Sequence, residues 1–257
     1  MSTDLHTARW HRIQQAMRNQ GLDVLLLAGN AWRSDYLRYA VDVTLMEGAA
    51  VALITLNQAP QLWVQHPTEA ARIRAERSQL QVHHAANFQA AALQALAQRG
   101  STRQAAAPSS ALPWGLAQGP WAQPVEATTA WLDGLMVNKL PAEADAVERA
   151  ALLADAGYGV FAQAARLGRR EFELVADTEA WLRTQSCPEN FMIVGSGGVE
   201  VRGMHPPGDR ALIEGDLVTT ELTPCVDGYY AQICRTLVVG QASAAQRDAY
   251  AVFSQAL

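Results

Sequence analysis

The chain has 257 residues, of which 49% are hydrophobic and 18% charged, and its formal net charge at pH 7 is −5. This length predicts one large domain or two modest ones, with a core large enough to fold without a disulfide or a metal. The mild acidity argues against a nucleic-acid or anionic-membrane surface, because both need clustered excess Lys and Arg. The three cysteines lack CxxC spacing, and the apolar runs are too short to span a bilayer, so we expect a cytoplasmic protein.

In the first half of the chain, short apolar runs alternate with stretches of helical spacing. The runs that predict strands are 23–28, 48–56, 61–64 and 80–83. The stretches that predict helices are 4–20, 69–77 and 88–98. This alternation is typical of an α/β layer, whereas the Ser-, Ala-, Gly- and Pro-rich stretch 100–124 is expected to be irregular.

The character of the sequence changes near Asn138. A long Ala-rich pattern predicts a helix over 141–166, with Pro141 in its first turn, and a second helix follows over 171–184. The remaining predicted elements are a strand at 191–194, a hairpin at 217–239 and an amphipathic helix at 243–257. We therefore predict an α/β (α+β) fold with two domains, 1–136 and 137–257.

The predicted hairpin brings polar side chains together. A two-residue Asp227-Gly228 turn pairs Glu221 with Cys234, and Thr223 with Gln232, in the flanking strands. Because side chains alternate along a strand, one face of the hairpin carries a shared set of residues: Glu221, Thr223, Tyr230, Gln232 and Cys234. An acid, an amide, a phenol and a thiol on one face are untypical of a core. The hairpin is therefore a candidate functional site.

Several segments, in chain order, resemble the creatinase/aminopeptidase P family, the pita-bread hydrolases. The segments that carry this resemblance are 21–26, Lys139 with Glu143, 193–197 with His205-Pro206, 215–222, 227–230 and 235–240. The resemblance covers the whole chain. It implies a creatinase-type N-terminal α/β domain followed by a pita-bread catalytic domain.

The resemblance implies hydrolysis of a C–N bond, of amide or amidine type, in a small amino-acid-like substrate. Metal-dependent members have Asp at the positions of Glu221 and Gln232, and a neutral Gln amide is a poor replacement for a bridging carboxylate. We therefore expect the metal-free, creatinase-like branch, with no cofactor. In that branch His205 is the proton carrier and Glu221 orients water or substrate. Since creatinase has Glu where this chain has Cys234, creatine itself is not the expected substrate.

The alternative within the family is a metal-dependent Xaa-Pro aminopeptidase, with Glu221 as a ligand to manganese, cobalt or zinc. Both proposed catalytic residues also have a plain structural interpretation. His205 is then a surface residue at the Pro206 turn, and Glu221 is a solvated strand residue. Tyr230 and Gln232 are expected to shape the substrate pocket rather than to do chemistry.

The resemblance also implies a homodimer in which the N-terminal domain of the partner approaches the active site. Arg33 or Arg38 is then expected to bind a substrate carboxylate, for which a guanidinium is well suited. An amphipathic surface helix is the alternative explanation of these two arginines. No nucleic-acid or membrane partner is expected.

The family's remaining His and two Glu ligands, and the second half of its sheet, are expected to lie beyond Leu257. By this comparison the chain is a fragment of a longer protein, or a split member that needs a partner, and the chain alone is expected to be inactive. A hypothesis from another class is a non-catalytic binding or assembly module.

Overall fold

A computed structural model describes residues 3–100, 102–198, 201 and 203–256. The chain divides into two compact units, Met1–Lys139 and Leu140–Leu257. The position predicted as a domain boundary, after residue 136, lies in the helix Val125–Val137, and the first unit ends two residues after that helix. Among the described residues, no helix combines the length and apolarity needed to cross a bilayer.

The first unit is built on a five-stranded sheet with the order β4-β3-β2-β1-β5. Its strands are β1 Val24–Asn30, β2 Ala49–Thr55, β3 Gln61–Val64, β4 Gln81–His84 and β5 Gln104–Ala107. Its helices are α1 Thr3–Asn19, α2 Asp35–Val41, α3 Pro67–Glu76, α4 Phe88–Ala97, α5 Trp114–Ala117 and α6 Val125–Val137. Strand β2 is antiparallel to both neighbours, whereas β1–β5 and β3–β4 are parallel pairs.

Helices cover both faces of this sheet. Leu25 and Leu27 of β1 belong to one core cluster, and Leu26 belongs to the other. Burial on both sides explains why β1 is a continuous apolar run rather than an alternating one. The predicted α/β class is confirmed. The prediction of irregular structure over 100–124 is wrong in part, because β5 and α5 lie there: the short Ala-rich strand exists through its pairing with β1.

In its described residues, the second unit has three helices and a small antiparallel sheet. The helices are α7 Pro141–Ala164, α8 Glu171–Thr184 and α9 Ala244–Gln255, and the strands are β6 Asn190–Gly197, β7 Leu217–Val226, β8 Tyr229–Tyr230 and β9 Ile233–Val238. Strand β7 is central and pairs with β6 on one side and with β8 and β9 on the other. The predicted hairpin is present, with Val226 opposite Tyr229 and Glu221 opposite Cys234.

The even-numbered residues of β7 face the helices. Val218 and Leu222 are fully buried with Phe161 of α7 and Leu174 of α8. The odd-numbered residues from Leu217 to Thr223 are only half-buried. The sheet therefore has one apolar side against the helices and one side that faces away from them, as expected of a sheet covered on one face.

A buried carboxylate ties the start of α7 to the hairpin turn. Glu143 is fully buried; its Oε1 accepts a 2.6 Å hydrogen bond from the Tyr229 hydroxyl, and its Oε2 accepts a 2.8 Å bond from the Leu140 N–H. Arg149 and Asp227 add a surface ion pair at 2.6 Å between the same two elements. The Glu143 of the Lys139-to-Glu143 segment thus has a structural role in this fold.

Candidate active site on the second sheet

The candidate site lies on the side of the sheet that faces away from α7 and α8. We call this side the Glu221 face: the odd-numbered residues of β7 with their register partners on β6, β8 and β9. Ile193 of β6 and Cys234 of β9 flank Glu221 in register. One row further along, the Thr219 and Thr236 hydroxyls are hydrogen-bonded at 2.9 Å. Glu221 therefore stands among neutral neighbours.

Glu221 is half-buried in the middle strand of the sheet. Within the described part of the chain, no hydrogen-bond donor or cationic side chain is paired with its carboxylate. A half-buried carboxylate without a protein partner keeps its acceptor sites for water or a ligand. This is the chemical reason to place the site here.

Tyr230 lies on the same face but does not offer its hydroxyl to a ligand. The hydroxyl donates a 2.7 Å hydrogen bond to Glu189 Oε2. Burial raises the pKa of Tyr230, and the hydrogen bond to Glu189 raises it further, so the phenol stays protonated. Tyr230 can therefore present its ring rather than a polar group. Gln232 is exposed where the ladder is interrupted between β8 and β9, so the predicted pairing with Thr223 is not formed.

His205 is not brought to the Glu221 face. Its N–H and C=O exchange hydrogen bonds with Val194, at 2.9 and 3.0 Å, along the outer edge of β6. Val194 is buried on the helix-covered side, whereas Ile193, its neighbour, is in register with Glu221. Because alternate residues of a strand project to opposite sides, this register places His205 and Glu221 on opposite sides of the sheet.

The side chain and backbone around His205 agree with that placement. His205 is exposed, and its Nδ1 lies 2.7 Å from the carbonyl oxygen of Pro206. The segment that leads to it passes very close to β6, since a Cβ on Gly195 would lie 2.1 Å from the Gly203 carbonyl oxygen. A catalytic role of His205 stays a prediction from the resemblance.

A buried polar network holds the connection between β6 and β7. Glu171, at the start of α8, accepts hydrogen bonds from the Ser196 hydroxyl at 2.5 Å and from the Gly208 N–H at 2.8 Å. Arg210 binds Asp216 through both terminal nitrogens, at 2.6 and 2.9 Å. Burial by itself raises the pKa of Asp216, but the hydrogen bonds from Arg210 and a backbone N–H outweigh it and lower the pKa below its ordinary value.

In the first unit, the two predicted substrate-binding arginines differ in environment. Arg38 lies on α2 and forms an ion pair with Asp35 at 2.9 Å. Arg33 lies before the helix, in a turn where Asn30 Oδ1 accepts the N–H groups of Trp32 and Arg33 at 2.9 and 3.0 Å. Arg33 is exposed, and the neighbouring Trp32 is 94% exposed.

Comparison with known proteins identifies the fold and the relatives. The model of metallopeptidase family M24 matches residues 145–257. The Xaa-Pro dipeptidase of Pyrococcus furiosus is 27% identical over 124 residues, which are 48% of this chain and 36% of that protein. The prolidase from Pyrococcus horikoshii superposes with a TM-score of 0.75 at 20% identity, over 97% of this chain and 70% of that one. The X-Pro aminopeptidase from Thermotoga maritima gives a TM-score of 0.79 at 17% identity, over 96% and 69%.

The resemblance to the creatinase/aminopeptidase P family is confirmed. The pita-bread relatives account for both units, since the superpositions cover nearly all of this chain. The match to the curated dipeptidase spans about a third of that protein's length. The M24 match includes Glu221, Tyr230 and Gln232 but not Arg33 or Arg38.

The description of the M24 relatives as metallopeptidases raises the question of whether the described residues fit a divalent ion. Within those residues, no group of three or more His, Cys, Asp and Glu side chains is placed to hold one. On the Glu221 face, Glu221 supplies a carboxylate, and its register partners on the two neighbouring strands are Ile193 and Cys234. Hard divalent cations need several oxygen ligands. This donor set alone does not fit a metal, and we derive no step through one.

Proposed function

We propose that the second unit carries part of the catalytic centre of a hydrolase that cleaves the C–N bond of a small peptide-like substrate. The observation that carries the proposal is the carboxylate of Glu221, for which the described residues provide no partner, on the exposed side of a sheet within the segment that matches family M24. The printed names of the relatives, Xaa-Pro dipeptidase and prolidase, support an Xaa-Pro dipeptide as the substrate class.

In this proposal Glu221 accepts a proton from the attacking water. The water oxygen adds to the carbonyl carbon, the C–N bond breaks, and the leaving nitrogen must gain a proton. The resemblance assigns that proton to His205. Because His205 lies on the opposite side of the sheet from Glu221, the His205→Ala variant tests this role separately from that of Glu221.

The metal-dependent alternative has its own support. The description of the matching family as metallopeptidases favours it over the metal-free reaction that the Gln232 position suggests. In that alternative Glu221 is a ligand, and further ligands come from outside the described residues. Both versions require the negative charge of Glu221.

The test is an assay of the native protein with an Xaa-Pro dipeptide, before and after removal of metals by a chelator. We expect release of proline. Loss of activity on chelation, with recovery on addition of manganese, cobalt or zinc, identifies the metal-dependent reaction; activity that survives chelation and is lost in His205→Ala identifies the metal-free one. Saturable dipeptide binding without turnover contradicts the hydrolase and favours the binding module.

We also propose that the native protein is a homodimer and that Arg33 binds the carboxylate of the substrate. Replacement of Arg33 by Ala is expected to raise KM about tenfold, the cost of one charge-assisted contact, with kcat unchanged. Arg38→Ala should give a smaller rise, because that guanidinium is engaged by Asp35. Steady-state kinetics on a dipeptide and on its C-terminal amide measure the effect.

The amide lacks the carboxylate, so its KM should not respond to Arg33→Ala. Arg18, an exposed arginine of α1, provides the control replacement. An equal rise in KM for the amide and the acid would show that Arg33 does not read the carboxylate.

A further inference from the structure

Two aromatic side chains lie on the Glu221 face, on the side of Glu221 toward the hairpin turn. Phe191 of β6 is in register with Thr223, and Tyr230 of β8 is in register with Cys225. Thr223 and Cys225 follow Glu221 at alternate positions along β7. The register therefore places both rings on the same side of the sheet as Glu221.

Both rings are available on that side. Phe191 is 56% exposed, which is unusual for a phenylalanine on the face of a sheet, and Tyr230 is 40% exposed. The hydrogen bond from Tyr230 to Glu189 fixes the ring and uses the hydroxyl. What the two residues offer to a ligand is apolar surface.

The strand order sets the distance between the rings. Strands β6 and β8 lie two strand spacings apart on either side of β7, and the register offsets Tyr230 from Phe191 by two residues along β7. Their backbone positions are therefore about 12 Å apart. Thr223 lies on the middle strand between them, and Cys225 beyond it is buried. Two rings at this spacing, with a short side chain between them, leave room for one aliphatic or ring side chain.

The other direction along β7 offers a different surface. On that side of Glu221, the face carries Gly195 and the hydrogen-bonded hydroxyls of Thr219 and Thr236. A ligand held at Glu221 thus meets apolar rings on one side and small or polar groups on the other. This asymmetry orients the ligand.

We propose that Phe191, Thr223 and Tyr230 form a side-chain subsite beside Glu221 that accepts one apolar side chain of the substrate. The proposal rests on the hydrolase proposed above and specifies its substrate class: amino-acid derivatives with an aliphatic or aromatic side chain next to the cleaved bond.

The test compares Leu-Pro and Gly-Pro hydrolysis by the native protein and its Phe191→Ala variant. The expected result is a fall of about tenfold in the ratio of kcat/KM for Leu-Pro over Gly-Pro, with Gly-Pro changed less than about threefold, because only the larger side chain reaches the subsite. Tyr230→Ala is expected to lower the ratio in the same direction. Phe172→Ala, which removes an exposed ring from α8, serves as the matched control.

A second readout separates the subsite from the hydrolase. Binding of leucine amide and glycine amide is followed by NMR for the wild-type protein and for Phe191→Ala. Binding that is selective for leucine amide and that Phe191→Ala abolishes supports the subsite, even where no dipeptide is hydrolysed. In that case only the proposal of hydrolase activity is rejected. An unchanged Leu/Gly ratio in both variants, or equal losses for both substrates, overturns the subsite.

Discussion

Replacing Glu221 by Gln is expected to lower kcat for dipeptide hydrolysis by about 100-fold or more while the second unit keeps its fold. The amide has the shape of the acid but cannot accept a proton, and positioned general bases contribute about 10²- to 10⁴-fold. The same loss is expected where Glu221 is a metal ligand, because a neutral amide is a weaker donor for a hard cation. Steady-state kinetics of the purified variant measure it.

Three companion measurements give this experiment its meaning. Glu221→Asp retains the carboxylate and should keep more activity than Glu221→Gln. Glu148→Gln removes one charge from the exposed side of α7 and should leave kcat within about twofold. The metal content of Glu221→Gln distinguishes a base from a ligand, since only loss of a ligand lowers it. An active Glu221→Gln variant would remove this residue from the mechanism.

The hairpin shows which part of the site could be predicted from the sequence. Asp227 adopts a positive φ of 49° and Gly228 one of 79°, as a two-residue turn requires. Once the turn is set, the pairing of Glu221 with Cys234 follows by counting residues, and local chemistry is sufficient. Strand β5 shows the opposite case. Its four residues carry no pattern of their own, and they form a strand only through β1, which lies about 80 residues away in the chain.

The parts of the site that the sequence does not predict also depend on contacts between distant segments of the chain. Phe191 lies in a strand that the sequence predicts, and the alternation of side chains along that strand puts it on the same side as Ile193. Only the pairing of β6 with β7 brings that side next to Glu221. The resemblance to the family assigns His205 and Glu221 to the same site. Its position depends on the path of the connection after β6, which the contacts of Glu171 and Arg210 determine. Contacts between distant segments leave no periodic trace in a single sequence.

Replacing Glu143 by Ala is expected to lower the free energy of unfolding of the second unit by about 3 kcal/mol. The change removes the acceptor of the half-buried Tyr229 hydroxyl and of the Leu140 N–H at this position, and hydrogen bonds to a charged group contribute about 1.5–3 kcal/mol each. Hydrogen exchange of the β7 amides reports on this unit separately from the first, because each amide is measured individually.

Two variants compare the two contacts between α7 and the hairpin turn, which are the hydrogen bond to the buried Glu143 and the surface ion pair of Arg149 with Asp227. Tyr229→Phe removes the bond from the phenol hydroxyl to Glu143 and leaves the bond from the Leu140 N–H in place, so it should cost about half as much. Arg149→Ala breaks the ion pair with Asp227, in which both side chains are well exposed, and should cost less than about 1 kcal/mol. If Arg149→Ala were as costly as Glu143→Ala, the surface pair would hold the start of α7 to the hairpin. The ion pair of Asp227, rather than the buried carboxylate of Glu143, would then protect the β7 amides from hydrogen exchange.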